Sequence, residues 1–77
     1  MLIKIKLLNG QFKQIEIEST DKIIKLKEMI EESEGISPEQ QRLIFGGKQL
    51  QDDKTLQEQK IVAGTQINLL LALTGGY

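Results

Sequence analysis

The chain ends Leu73-Thr74-Gly75-Gly76-Tyr77. Two consecutive glycines hold almost no backbone preference and carry no side chains. Such a stretch of bare backbone can enter a narrow channel closed to a bulkier chain. It also lets an enzyme reach the terminal carbonyl without obstruction. Extended, Leu71 to Gly76 spans roughly 20 Å at about 3.3–3.6 Å per residue. The plain alternative is an ordinary unstructured end, which is common at chain termini. No residue from Ile61 onward has a charged side chain, so the ending is not a solubilising tail.

The remaining inventory removes most catalytic chemistry. The 77 residues contain neither Cys nor His. Disulfides, thiolate nucleophiles, the commonest zinc ligands and Ser–His–Asp or Cys–His catalysis are therefore all absent. No paired-carboxylate or metal spacing stands out, and Gly46-Gly47-Lys48 lacks the long glycine loop that phosphate binding requires. These residues imply no enzyme, no metal and no cofactor. Lys and Arg number 10 against 11 acidic residues, without the basic stripe of a nucleic-acid binder. No apolar run approaches the roughly 20 residues needed to span a bilayer. MLIKIKLL lacks the order of a signal peptide. A soluble, monomeric, intracellular domain is expected, and an absence of Cys suits a reducing compartment.

Holding out such an ending requires a body. Met1, Ile3 and Ile5 alternate with Leu2, Lys4 and Lys6, the period of a strand with one buried face. Ile15 and Ile17 give a second strand, and Asn9-Gly10 marks the hairpin between them. Inward residues are odd-numbered on both strands, so paired numbers must sum to an even value. That requires a loop of odd length: Leu8-Asn9-Gly10, with Gly10 left-handed. Ile3 then pairs with Ile15, and Ile5 with Lys13. Lys13 is a misfit whose stem is expected along the core edge.

Ser19-Thr20-Asp21 offers capping residues for a helix from about Lys22 to Glu34. Ile23, Leu26 and Ile30 form its core stripe, Lys27 and Glu31 an i,i+4 pair, and Gly35 its stop. Leu43 and Phe45 belong to a further strand, Gly46-Gly47 to a turn, Leu50 and Leu56 to the core, and Asp52-Asp53 to another turn. Ile67 and Leu69 form the last strand. The expected class is α+β, a sheet packed on one helix. If Leu43, Ile67 and Leu69 point inward, then Arg42, Ile44, Lys48, Asn68 and Leu70 share the outer face, and Leu8 joins them from the hairpin tip. That gives an apolar patch with a cationic rim, a pattern often found at protein-binding sites. Scattered surface leucines are the bland alternative.

The segment EGISPEQQRLIFGGKQLQDDKTL resembles the signature stretch of ubiquitin, and the resemblance runs from Met1 to Gly76 without a gap. It takes in Leu8, Gly10, Gly35, Ile36, Pro38, Leu43, Ile44, Gly47, Lys48, Leu56, Leu73 and Gly75-Gly76. MLIKIK at the start and LALTGG at the end are more similar to the Nedd/Rub, or related-to-ubiquitin, branch. Ala72 stands where ubiquitin has arginine and that branch has alanine. Gln11, Met29, Ser33 and Ala63 stand where ubiquitin carries lysine, Asn68 where it has histidine, and Thr74 where both branches have arginine.

The resemblance implies a ubiquitin-like β-grasp domain over residues 1–71, with a mixed sheet on one helix and a flexible conjugation tail over 72–77. It implies a protein modifier joined through Gly76, after Gly75, to target lysines once a hydrolase has removed Tyr77. An activating enzyme would adenylate the Gly76 carboxylate, and a conjugating enzyme and ligase would deliver it to targets of the cullin type. Ala72 would govern choice of activating enzyme. Leu8, Ile36, Arg42, Ile44, Lys48, Asn68, Leu70, Leu71 and Leu73 would bind partners, and Lys48 is the acceptor lysine it suggests. It places the protein in cytoplasm and nucleus. The competing expectations are a divergent ubiquitin used in degradation signalling and a non-conjugated ubiquitin-like binding domain.

Overall fold

The computed structural model describes residues 1–72. Its order is β1 (Leu2–Lys6), β2 (Phe12–Glu16), α1 (Ile23–Glu34), a 3₁₀ turn (Pro38–Gln40), β3 (Gln41–Phe45), β4 (Lys48–Gln49) and β5 (Gln66–Leu71). The five strands form one sheet in the order β2-β1-β5-β3-β4. β1 and β5 run parallel and the other neighbours antiparallel, so the sheet is mixed. This is the β-grasp arrangement.

The first hairpin obeys the parity argument. Ile3 faces Ile15 and Ile5 faces Lys13. The Leu7 N–H donates to the Gln11 carbonyl at 2.7 Å, which closes a loop of Leu8, Asn9 and Gly10. Gly10 has φ +86°, a conformation only glycine adopts without strain. Lys13 is half-buried beside Met29 and Glu32, its stem lying at the core edge.

Ile3 and Ile5 of β1, Ile15 of β2 and Ile17 just beyond it, together with Leu43, Ile67 and Leu69, meet Ile23, Leu26 and Ile30 of α1 in one core. Leu50, Leu56 and Ile61 close its far end. Burial of each such side chain is worth roughly 1.5–3 kcal/mol. Ile61 has no alternating neighbours to announce it. It is drawn in by its own N–H, which donates to the Leu56 carbonyl at 2.9 Å.

The helix stops as expected: Gly35 is left-handed at φ +76°, and its N–H donates to the Glu31 carbonyl. Its start differs. Lys22 is the N-cap residue and offers no side-chain cap. The free N–H groups of the first turn are instead met by main chain. Ile23 N–H donates to the Lys54 carbonyl at 2.9 Å and Ile24 N–H to the Asp52 carbonyl at 3.2 Å. Asp21, offered as a cap, turns back to accept from the Glu18 N–H at 3.0 Å.

Lys27 also differs from expectation. It does not pair with Glu31 on the surface but is buried, with Nζ 2.6 Å from Asp52 Oδ1. Gln41 is buried as well, its Nε2 donating to the carbonyls of Lys27 at 2.8 Å and Ile36 at 2.9 Å. These bonds tie the start of β3 to α1 and to the loop that follows it.

Candidate protein-docking face

α1 covers one side of the sheet, and the other side is open. Strand register fixes which residues share the open side, because residues opposite one another across a ladder point the same way. Phe12 faces Lys6, Lys6 faces Asn68, Asn68 faces Ile44 and Ile44 faces Gln49. A single row thus crosses all five strands. Leu70 and Arg42 face each other in a neighbouring row.

The expected cluster is largely assembled. Leu8, at the hairpin tip, shares a shallow groove with Ile44, Asn68 and Leu70. Leu8 and Leu70 are exposed, and Ile44 is half-buried. Such a surface buries apolar area when a partner closes over it, while the hydrogen bonds of the strands beneath are already made. Arg42 is exposed at the margin, where its Nε and Nη2 donate to Gln49 Oε1 at 3.3 and 3.2 Å. Asn68 Oδ1 accepts from Gln66 Nε2 at 3.5 Å.

Lys48 is not part of this row. Gly46 and Gly47 form a two-residue turn with φ +61° and +79°, so Phe45 pairs with Lys48 and Ile44 with Gln49. An even loop reverses parity, and Gln49 takes the place expected of Lys48. Lys48 is exposed beyond the edge of the core, in a groove it shares with Glu58 and Lys60. Gln49 was legible: two glycines favour the two-residue hairpin loop that needs positive φ at both positions.

Ile36 and Leu71 lie apart from the open face. Ile36 is half-buried against the core and lines a second groove with Leu7, Leu8 and Leu69. Leu71 is exposed and opposite Gln41, on the other side of the sheet from Leu70. Ala72 was expected to begin the free tail. Its N–H instead donates to the Gln40 carbonyl at 2.7 Å, and the residue is half-buried in a groove with Glu39 and Arg42. Leu73, Gly75, Gly76 and Tyr77 lie outside the described residues.

Two ionisable groups are shifted by hydrogen bonding. The Met1 ammonium donates to Glu16 Oε2 at 2.6 Å, and this bond, with the attraction of Glu16 and Glu18, raises its pKa above the ordinary 8.0. Glu58 Oε1 accepts from the Thr55 N–H at 2.8 Å and the Thr55 hydroxyl at 3.2 Å, while Thr55 Oγ1 accepts from the Glu58 N–H at 3.1 Å. The backbone bond from Thr55 is the main reason the Glu58 carboxyl lies below its usual 4.5. This reciprocal pair has the hydrogen-bond pattern of a capping box, here closing the turn at Thr55–Glu58 rather than a helix. Among the described residues, no cluster of His, Cys, Asp and Glu is placed to hold a metal, and no helix is long and apolar enough to cross a membrane.

Residues 3–74 match the model of the ubiquitin family. The chain is 57% identical over 76 residues to ubiquitin-like protein NEDD8 of Dictyostelium discoideum, covering 99% of both chains. It is 49% identical to NEDD8-like protein RUB3 of Arabidopsis thaliana, covering 99% of this chain and 97% of that one. It is 45% identical to NEDD8-like protein RUB1 of Saccharomyces cerevisiae, again covering 99% of both.

Proposed function

Because the chain belongs to the ubiquitin family, whose modifiers are not themselves enzymes, we propose that it is a modifier of the NEDD8/RUB kind, attached through Gly76 to target lysines. The observation that carries this reading is the near end-to-end match to relatives named NEDD8 and RUB, in a chain that has Ala72 and Gly75-Gly76.

The chemistry follows from the residue types. The Gly76 carboxylate attacks a nucleoside triphosphate, forming an acyl adenylate and releasing pyrophosphate. A cysteine thiolate of the activating enzyme displaces the nucleotide to give a thioester. After transfer to a conjugating enzyme, a target lysine amine attacks the thioester carbonyl. The thiolate leaves, a proton is lost and an isopeptide bond remains. All the nucleophilic sulfur belongs to the enzymes, which fits a chain without Cys or His. A hydrolase first cleaves the Gly76–Tyr77 bond, since only then is the reacting carboxylate on glycine.

The targets are of the cullin type, and the protein acts in cytoplasm and nucleus. The face around Ile44 and Leu70 receives conjugating enzymes, ligases and readers. Ala72, anchored by Gln40, presents a small side chain where an arginine would meet Arg42 and Glu39. A selecting enzyme can reject one or the other at such a position. The test is thioester formation with a NEDD8-activating enzyme. A chain ending at Gly76 should charge and one ending at Tyr77 should not; equal charging of both would remove the processing step. Failure of the Gly76 form with every modifier-activating enzyme would remove the modifier reading.

A further inference from the structure

The open face does not end at Ile44 and Leu70. Its row continues through Asn68 and Lys6 to Phe12 on the edge strand β2. Phe12 is 54% exposed, an aromatic ring left in water on a strand that has a core face available to it. No packing requirement places it there. Phe12 and Ile44 are separated by three strand spacings, about 14 Å at about 4.8 Å each.

The charge between and around these two apolar points has one sign. Lys6 lies between them in the row, Lys4 is two residues along β1 on the same side, and Arg42 borders the Ile44 end. The opposing carboxylate on this side of β1 and β2 is Glu16, and it is already held by the Met1 ammonium at 2.6 Å. A chain whose formal charge is −1 thus presents a locally cationic face.

We propose that this face takes an acidic protein segment by two apolar anchors, one over Ile44 and Leu70 and the other over Phe12, with carboxylates of the segment meeting Lys6 and Lys4 between them. The inference rests on the reading of the Ile44 region as a docking surface, but not on conjugation. A helix lying along the row matches the spacing with apolar side chains about three turns apart, roughly 16 Å at 5.4 Å per turn. Opposite charge steers the encounter, and the two anchors fix the register. The arrangement suits a peptide better than an anionic bilayer. Its cations are few and lie between the apolar points, rather than surrounding one insertable tip.

The experiment is an NMR titration of the isotopically labelled full chain with a designed helical peptide. The peptide carries two leucines three turns apart on one face and glutamates between them. Amides of Lys4, Lys6, Phe12, Ile44, Asn68 and Leu70 should shift as one footprint. Phe12→Ser should weaken binding roughly tenfold, as expected for losing one buried aromatic anchor. Lys6→Glu should weaken it by at least about fivefold at low salt, and by less at high salt. Thermal melts of both variants should match the parent, because both positions are on the open face.

A footprint confined to Ile44, Asn68 and Leu70, with Phe12→Ser within about twofold of the parent, would overturn the inference and leave the Ile44 docking reading standing. Absence of any footprint, or indifference to Ile44→Ala, would remove both. Equal binding of a peptide with lysines in place of its glutamates would also overturn the inference. So would the same footprint appearing with phosphatidylserine-containing vesicles but not with the peptide, or on raising protein concentration alone.

Discussion

Lys27 Nζ lies 2.6 Å from Asp52 Oδ1, with the lysine side chain buried and the aspartate half exposed. The buried member is the cation, so the two partners should respond differently to removal. Asp52→Ala leaves an ammonium in the core without its counter-charge. Breaking a fully buried pair costs about 3–5 kcal/mol, and the exposure of Asp52 reduces the expected loss to roughly 2 kcal/mol. Lys27→Met keeps an unbranched stem and removes the charge, and should lie within about 1 kcal/mol of the parent. Urea unfolding of both variants measures this. An Asp52→Ala variant as stable as the parent would show that the pair contributes nothing.

Ile44→Ala should separate binding from folding. Ile44 is half-buried, whereas its neighbour in sequence, Leu43, is fully buried. The expected stability loss is about 1 kcal/mol for Ile44→Ala against about 2–5 kcal/mol for Leu43→Ala. Binding to a conjugating enzyme should nevertheless fall at least about tenfold for Ile44→Ala. Calorimetry and isothermal titration on the same preparations compare the two effects.

Ala72→Arg should shift charging toward a ubiquitin-activating enzyme while leaving stability within about 0.5 kcal/mol of the parent. The Ala72 contact to Gln40 is made by main chain, so it survives the substitution. Parallel thioester assays with the two activating enzymes give the ratio; an unchanged ratio would show that another position selects.

Stability should depend on pH through two hydrogen-bonded groups, in opposite windows. The Glu58 carboxyl is lowered below 4.5. Its contribution is therefore present above about pH 4.5 and lost as pH falls through its folded value. The melting-temperature gap between the parent and Glu58→Gln should close in acid. The Met1 ammonium is raised above 8.0, so its contribution is complete below pH 8 and lost as pH rises through its folded value. The gap between the parent and Glu16→Gln should close in alkali. Melting curves across both ranges test the signs.

The strands, the helix and the first hairpin were legible because alternation and glycine placement are local. Ile3 and Ile15 could be paired by parity alone, and Gly35 could end α1 because its left-handed conformation has few other occupants. The second hairpin obeys the same parity rule, but its loop is even, so Lys48 lies on the side opposite to the one an outer-face cluster with Ile44 requires. Lys27 also carried a signal. It is four residues after Ile23 and three before Ile30, which places it on the apolar stripe of the helix, turned into the core rather than out to Glu31. Its partner Asp52 was not legible, because no local pattern connects residues 27 and 52. Gln41 shares the inward parity of Leu43, but its bonds to the Lys27 and Ile36 carbonyls depend on how α1 is laid against β3. Phe12 has the even, outward parity of β2 and stands beside the inward misfit Lys13, so its exposure was legible. Its alignment with Ile44 emerged only when β1 and β5 were paired.

The entrance to α1 is closed by the Lys54 and Asp52 carbonyls, and the same long loop returns the favour: Leu56 N–H donates to the Asp21 carbonyl and Gln57 N–H to the Ser19 carbonyl. Residues distant in sequence are therefore stitched together by main chain, whatever side chains they carry. The first turn of the helix cannot unwind without releasing that loop, and the loop cannot lift without exposing the helix. Amide protons of Ile23, Ile24, Leu56 and Gln57 should therefore exchange with solvent as one cooperative unit.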